Sequence, residues 1–311
     1  MMRIAVVGDA FVDVLAGIDA LPQWGQDTPC AEAIQMQPGG SALNTATQLA
    51  NLGGSAVAYF SAMGADGFGD MLALHLAKHN VKSFAPQLAS HPTGVCIVLT
   101  GQGDRAFVTH YGAAHAFAKQ HIPMDRLLEA QHIHVGGFYS CIGLLPDLAC
   151  ILEAAKVKGI TISLDTNYDG SEAWTQLDAI LPLLDVFLPN EVEAMKISKT
   201  SSVDAALDYF ASLPNGPKLT VIKVGSDGAR AITGQTKTVW HHPCFPTTLL
   251  DATGAGDAFN AGFLHAWTAD ASDVHRALRY GCALGSACVS RLGACTQLPS
   301  PETIHAQVQL R

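Results

Sequence analysis

The chain has 311 residues, 49% hydrophobic and 14% charged, enough apolar material for a large core in one domain or two smaller ones. A formal net charge of −9, with only 18 basic residues and no Lys/Arg run, disfavours nucleic acid and anionic membrane as partners. The eight cysteines are scattered and form no C-x-x-C pair, which argues against a zinc ribbon or a disulfide scaffold and for small buried thiols in a reducing compartment.

The first element is the apolar strand "RIAVVG", residues 3–8, closed by Gly8-Asp9. It is too short for a signal-peptide core, and no later stretch is long and apolar enough to span a bilayer, so a soluble cytoplasmic protein is expected. "FVDVLAGID" and "AEAIQMQ" alternate apolar and polar residues at period 2. "PGGSALN" then places Gly39-Gly40 before a helix over residues 41–53, with Ser41 as its N-cap and Asn44 one turn in. A strand over 55–61 and a helix over 69–80 follow. "TGVCIVLTGQGDRAFVTHYGA", residues 93–113, reads as two alternating strands around a "GQGD" turn.

Beyond it, strands over 132–137, 160–165, 185–190 and 219–225 alternate with helices over 145–159 and 202–213. That rhythm implies βαβ units: an α/β fold with a central, mostly parallel sheet flanked by helices. The period-2 segments within 11–20, 30–37 and 93–111 form a small sheet with one wet face, a β lid interleaved with the early α/β units. No repeat or low-complexity linker interrupts 1–311, which is taken as one domain. His132 and His134 share a strand face and His241-His242 are adjacent, but no Cys/Asp cluster accompanies them, so a histidine metal site is not expected.

The most informative stretch is "DATGAGDAFNAGF", residues 251–263. Helical apolar spacing begins after Asp257, so Gly254, Ala255 and Gly256 stand at a helix N-terminus. Unpaired N–H groups and the positive end of the macrodipole make that place an anion hole, and glycine lets the anion come close. The stretch is not a Walker A loop, which needs G-x-x-x-x-G-K-[ST], and Phe259 replaces the third glycine of a dinucleotide fingerprint. An aspartate inside a phosphate site repels phosphate. Asp257 is useful only if it faces another atom, such as a hydroxyl that loses its proton as it attacks phosphorus.

"DATGAGDAFNAGF" resembles the C-terminal signature of the ribokinase-like (PfkB-type) carbohydrate kinases, and "PGGSALNTATQLANLGG" resembles the N-terminal one. The two occur in the right order, and the resemblance covers essentially the whole chain. It implies a ribokinase-like fold and an ATP-dependent kinase that phosphorylates the hydroxymethyl group of a neutral sugar, ribose or a ketohexose. A nucleoside kinase of adenosine-like specificity is the alternative, and a catalytically silent sugar- or nucleotide-binding relative a third.

By the same resemblance Asp257 is the base and the Gly254–Gly256 backbone holds charge on the transferred phosphoryl group. Asp13, Gly39, Gly40 and Asn44 contact the sugar, with Asp9 competing for the role of Asp13. Phe11, Phe138 and Tyr139 close over the sugar or stack on a base. Lys223, Gly225 and Gly228 border the nucleotide. Asn190 and Glu193 organise Mg²⁺ through waters, and Asp251, Thr253 and Gly293 shape a monovalent-cation site for K⁺. The resemblance also implies a homodimer through the lid. One departure stands out: Asp165 and Asn167 match a D-x-N-x-R segment, but Asp169 replaces its arginine, which argues against an acidic or phosphorylated sugar.

Overall fold

The computed structural model describes residues 2–30, 32–101 and 104–309. Its nine-stranded main sheet is built from β1 (Met2–Gly8), β4 (Ser55–Phe60), β6 (Lys82–Phe84), β10 (His132–Gly136), β11 (Thr161–Leu164), β12 (Val186–Phe187), β13 (Leu219–Lys223), β14 (Ala229–Thr233) and β15 (Val239–His242). The spatial order is β15-β14-β13-β12-β11-β10-β1-β4-β6. Pairing is parallel from β6 to β13 and antiparallel from β13 to β15.

Alternation along β1 shows why the sheet is buried on both sides. Ile4 and Val6 belong to one apolar core, Ala5 and Val7 to the other. The first core packs α1 (Ser41–Leu52), α2 (Gly67–Lys78), α8 (Ala255–Trp267), α9 (Val274–Val289) and α10 (Pro301–Gln309) against the sheet. The second packs α5 (Leu145–Val157) and α7 (Val203–Ser212). His132 and His134 are buried within the sheet and bond across it to the Thr161 and Ser163 hydroxyls. The shorter helices are α3 (Ala113–Ala116), α4 (Met124–Leu127) and α6 (Glu191–Ser198).

A second sheet, in the order β3-β2-β8-β9, is formed by β2 (Phe11–Gly17), β3 (Gln35–Gly39), β8 (Gly94–Gly101) and β9 (Asp104–His110). A two-stranded sheet joins β5 (Met63–Gly64) to β7 (Gln87–Leu88). The strand expected within 30–37 begins only at Gln35 and runs on to Gly39. Its ladder with β2 starts at the Leu15↔Gln35 pair, so residues 32–34 have no partner there. Of the expected "GQGD" turn, Gln102 and Gly103 lie outside the described residues.

Register sorts the second sheet into two faces. Asp13, Cys96 and Thr109 form one cross-strand row, and Val14, Met36, Ile97 and Val108 form a row on the opposite face. The Asp13 face also carries Arg105 and Phe107, four and two residues back from Thr109 along β9.

Candidate active site

Asp9, Asp165 and Lys223 stand at the carboxyl ends of β1, β11 and β13, where open parallel sheets place their ligands. α8 supplies the centre. Its N-cap Gly254 is left-handed at φ 72°, and a Cβ there would lie 2.3 Å from the Ala294 Cβ, so only glycine enters the helix by this turn. The first turn turns its N–H groups outward and carries Asp257, whose residue is 8% exposed. α1 packs on α8 and supplies Ser41 Oγ, which donates to Asp257 Oδ1 at 2.7 Å, and Asn44 Nδ2, which donates to Oδ2 at 2.8 Å. Burial nonetheless pushes Asp257 up to about 6.

Two acceptors beside this carboxylate have nothing to accept. Asn44 Oδ1 is buried without a hydrogen-bond partner. The Asp13 carboxylate accepts no hydrogen bond among the described residues. Burial, with Asp257 and Asp9 nearby, lifts it to about 7. Gly39 lies directly against Asp13, where a Cβ would come 2.3 Å from Oδ2. Gly40, at φ 97°, lets the chain pass close to the Asp9 carbonyl. Asp9 itself accepts from the Ala42 N–H at 2.9 Å and so caps α1 from outside. Ser41 is therefore not the cap: Gly40 holds that position, and the Ser41 hydroxyl is committed to Asp257.

Behind Asp257 lies a buried ion cluster. Lys223 Nζ donates to Asp165 Oδ2 at 2.5 Å and to Asn260 Oδ1 at 3.4 Å, and Asn260 Nδ2 also donates to Asp165. Burial works against the Lys223 charge, but Asp165 and Glu193 hold it above the usual lysine value. A Cβ on Gly256 would sit 3.4 Å from Lys223 Nζ, which puts the ammonium over the first turn of α8. Asn260 was not expected from sequence; its spacing of three from Asp257, on one helical face, was the available signal.

Asn190 and Glu193 close on each other as a capping box at the start of α6. The Asn190 side chain accepts from the Glu193 N–H, and Glu193 accepts from Asn190 N at 2.9 Å and Nδ2 at 2.7 Å. Burial and Asp165 push Glu193 up to about 7. Asp251 ties its loop together, accepting from the Thr253 and Gly293 N–H groups at 2.9 Å each. Arg105, from β9, donates to Thr253 Oγ1 at 3.4 Å, bringing a cation of the second sheet to the edge of the site.

Several expected contacts fall elsewhere. Phe138 is 1% exposed, packed in the second core edge-on to Tyr139, so it presents no face to a ligand. Phe11 is buried edge-on to Tyr111, and the Tyr139 hydroxyl donates to the Thr175 carbonyl. Gly228 answers to packing: a Cβ would meet the His242 carbonyl at 2.0 Å. Gly225, at φ 57°, has open space beside it. Asp169 does not turn its charge to a ligand. Its carboxylate accepts from Ser171 N–H, Ser171 Oγ and Trp174 N–H, which overcome the effect of burial and hold it below the usual carboxylate range.

Comparison with known proteins agrees with this geometry. A family model described as pfkB family carbohydrate kinase matches residues 1–301. An ATP-dependent ribose-1-phosphate kinase of Halopiger xanaduensis is 30% identical, covering 94% of each chain. An adenosine kinase of Schizosaccharomyces pombe is 27% identical over 88% of this chain and 84% of its own. Among solved structures, an E. coli protein assigned as Ribokinase II, in complex with ATP and Mg²⁺, superimposes with a TM-score of 0.83 at 25% identity, covering 100% of both chains.

Proposed function

From the premise that the chain belongs to the pfkB family of carbohydrate kinases and is an ATP-dependent kinase, we propose that its acceptor is the hydroxymethyl group of a neutral sugar, ribose-like or ketohexose-like. One observation carries the reading. Beside the buried Asp257, the Asp13 carboxylate and Asn44 Oδ1 are acceptors without donors, a complement for a substrate rich in O–H groups.

The sugar lies between Asp13, Gly39, Gly40 and Asn44, with the second sheet as lid. Asp257 takes the proton of the attacking hydroxyl while Ser41 and Asn44 hold its oxygens in place. The deprotonated hydroxymethyl oxygen of the sugar bonds to the γ-phosphorus as ADP departs. The first turn of α8 and the Lys223 ammonium receive the charge on the phosphoryl oxygens. ATP lies along Gly225–Gly228.

Asp165, Glu193 and Asp257 outnumber Lys223, the cation of this cluster among the described residues, a surplus of acid that suits a divalent metal. Asn190 and Glu193 hold Mg²⁺ through its waters, each Glu193 oxygen keeping a lone pair beyond the bond from Asn190. Mg²⁺ neutralises phosphate charge when bound. The Asp251–Thr253–Gly293 loop suits K⁺. The apolar outer face of the lid supports a homodimer, and the chain's charge a cytoplasmic protein without nucleic-acid or membrane partners.

A nucleoside acceptor is the second reading, favoured by Phe107, which is 58% exposed on the Asp13 face and available to stack on a base.

The test is ADP release over a panel of pentoses, ketohexoses, nucleosides, sugar phosphates and sugar acids, repeated with Asp257→Asn. The best substrate should be neutral, and the variant should bind it while losing about 10²–10⁴-fold in kcat. A best substrate carrying phosphate or carboxylate would overturn the acceptor class. Near-native kcat in the variant would overturn the base.

A further inference from the structure

The face of the second sheet that carries Asp13 holds one charge of the opposite sign. The register of β2, β3, β8 and β9 makes Asp13 and Arg105 the charged residues of that face among the described residues. Asp13 shares its cross-strand row with Thr109, and Arg105 lies four residues before Thr109 on β9, roughly 13 Å along the strand. One end of the face therefore meets the acceptor site and the other the loop that leads into α8. The Arg105 guanidinium donates to Thr253 Oγ1 at 3.4 Å, and Thr253 immediately precedes Gly254, the N-cap of α8. A lid residue thus reaches the main body at the mouth of the anion hole.

The elements around α8 leave a use for that charge. Lys223 Nζ is divided between Asp165 at 2.5 Å and Asn260 at 3.4 Å. Asp257 puts a buried carboxylate into the first turn of α8. A phosphoryl group in transfer spreads negative charge over three oxygens, and neutral backbone N–H groups meet that charge without cancelling it. A guanidinium presents a planar fork of donors to such oxygens and stays protonated throughout.

We infer that Arg105 is a catalytic residue delivered by the lid, its guanidinium binding oxygens of the transferred phosphoryl group once the acceptor is in place. The hydroxymethyl proton goes to Asp257, the sugar oxygen bonds to the γ-phosphorus, the bond to the ADP oxygen breaks, and Arg105 gives up no proton. Thr253 holds the guanidinium beside that position before the substrates arrive. The sheet that carries Arg105 also carries Asp13, so an acceptor that draws the lid closed brings the cation with it. Water in the acceptor's place does not, which protects ATP from hydrolysis. The inference rests on the reading that the first turn of α8 receives the phosphoryl group.

Arg105→Ala, Arg105→Lys and Asp257→Asn are assayed in the full-length protein with Mg·ATP and with ribose, fructose and adenosine as acceptors. Arg105→Ala should lose about 10²–10³-fold in kcat, as for a donor to a transition-state oxyanion, while the KM values for acceptor and ATP change little. Arg105→Lys keeps the charge without the fork and should fall between. Added guanidinium ion should recover part of the Arg105→Ala rate and none of the Asp257→Asn rate, a response that a merely structural arginine would not give. Native kcat with a raised acceptor KM makes Arg105 a latch for the lid and overturns the catalytic role, as does a lost kcat that guanidinium leaves unchanged. Where Arg105→Ala keeps its kcat and Asp257→Asn loses it, the failure belongs to this inference alone. Native kcat in both overturns the placement of the phosphoryl group on α8.

Discussion

Asp13 is held where the chain gains nothing from it until a ligand arrives. Its carboxylate has no donor among the described residues, and Asp257, Asp9 and Asp251 act on it as like charges. Burial first, and those charges second, lift it from 3.8 to about 7. A folded-state value above the unfolded one means that the folded protein binds the proton more tightly. The ionised form therefore costs stability above pH 7, and the cost fades as pH falls towards 4. Asp13→Asn should accordingly raise Tm by a few degrees at pH 8 and lose that advantage by about pH 4, while the sugar KM rises at least tenfold. Thermal melts across that range, beside sugar kinetics, check it. A variant less stable than the parent at pH 8 would mean that the carboxylate has a partner in the fold.

At the scale of elements, the site is the meeting of two helix starts. α1 brings Ser41 and Asn44, α8 brings Asp257, and each enters through a glycine at positive φ. Gly254→Ala tests how far function depends on that entry. Left-handed alanine costs about 1–2 kcal/mol, and the new methyl would run into Ala294, so the first turn of α8 must shift. Expected are a lower Tm and a kcat reduced by tenfold or more, with a smaller change in sugar KM, since Asp13 and Asn44 lie on other elements. An unchanged kcat would show that the turn's position is not critical.

Both helix starts were legible in the sequence because glycine, small polar residues and apolar periodicity coincide there. The parallel strands were legible for the same reason: buried Val/Ile runs such as "RIAVVG" leave little choice. β14 and β15 were not, being short and mixed strands that owe their place to antiparallel pairing. Side-chain direction was legible least. Ser41 stands where a cap stands but points to Asp257. Asp169 occupies an arginine position yet spends its charge on its own loop. Type and spacing say which atoms are near, and only packing says which of them are already satisfied.

At the scale of the whole molecule, the second sheet has two faces with different work. The face with Asp13, Cys96 and Thr109 turns to the site. The opposite face carries Val14, Met36, Ile97 and Val108, with Met36 59% and Val108 60% exposed. This face continues into an apolar cavity of about 550 Å³ lined by Phe68, Met71 and Val95 among others. A contiguous exposed apolar face on a four-stranded sheet is unfavourable in a monomer, and a second copy of the same face is the simplest cover, since a two-fold axis makes one patch complementary to itself. Sedimentation at micromolar protein should therefore give a dimer. Val108→Asp, which puts two buried like charges across the axis, should give a monomer that keeps its fold. A sheet held by a partner moves less, so the monomer should also show a higher sugar KM with ATP KM little changed. A native protein that sediments as a monomer at these concentrations would leave the apolar face without this explanation and overturn the dimer.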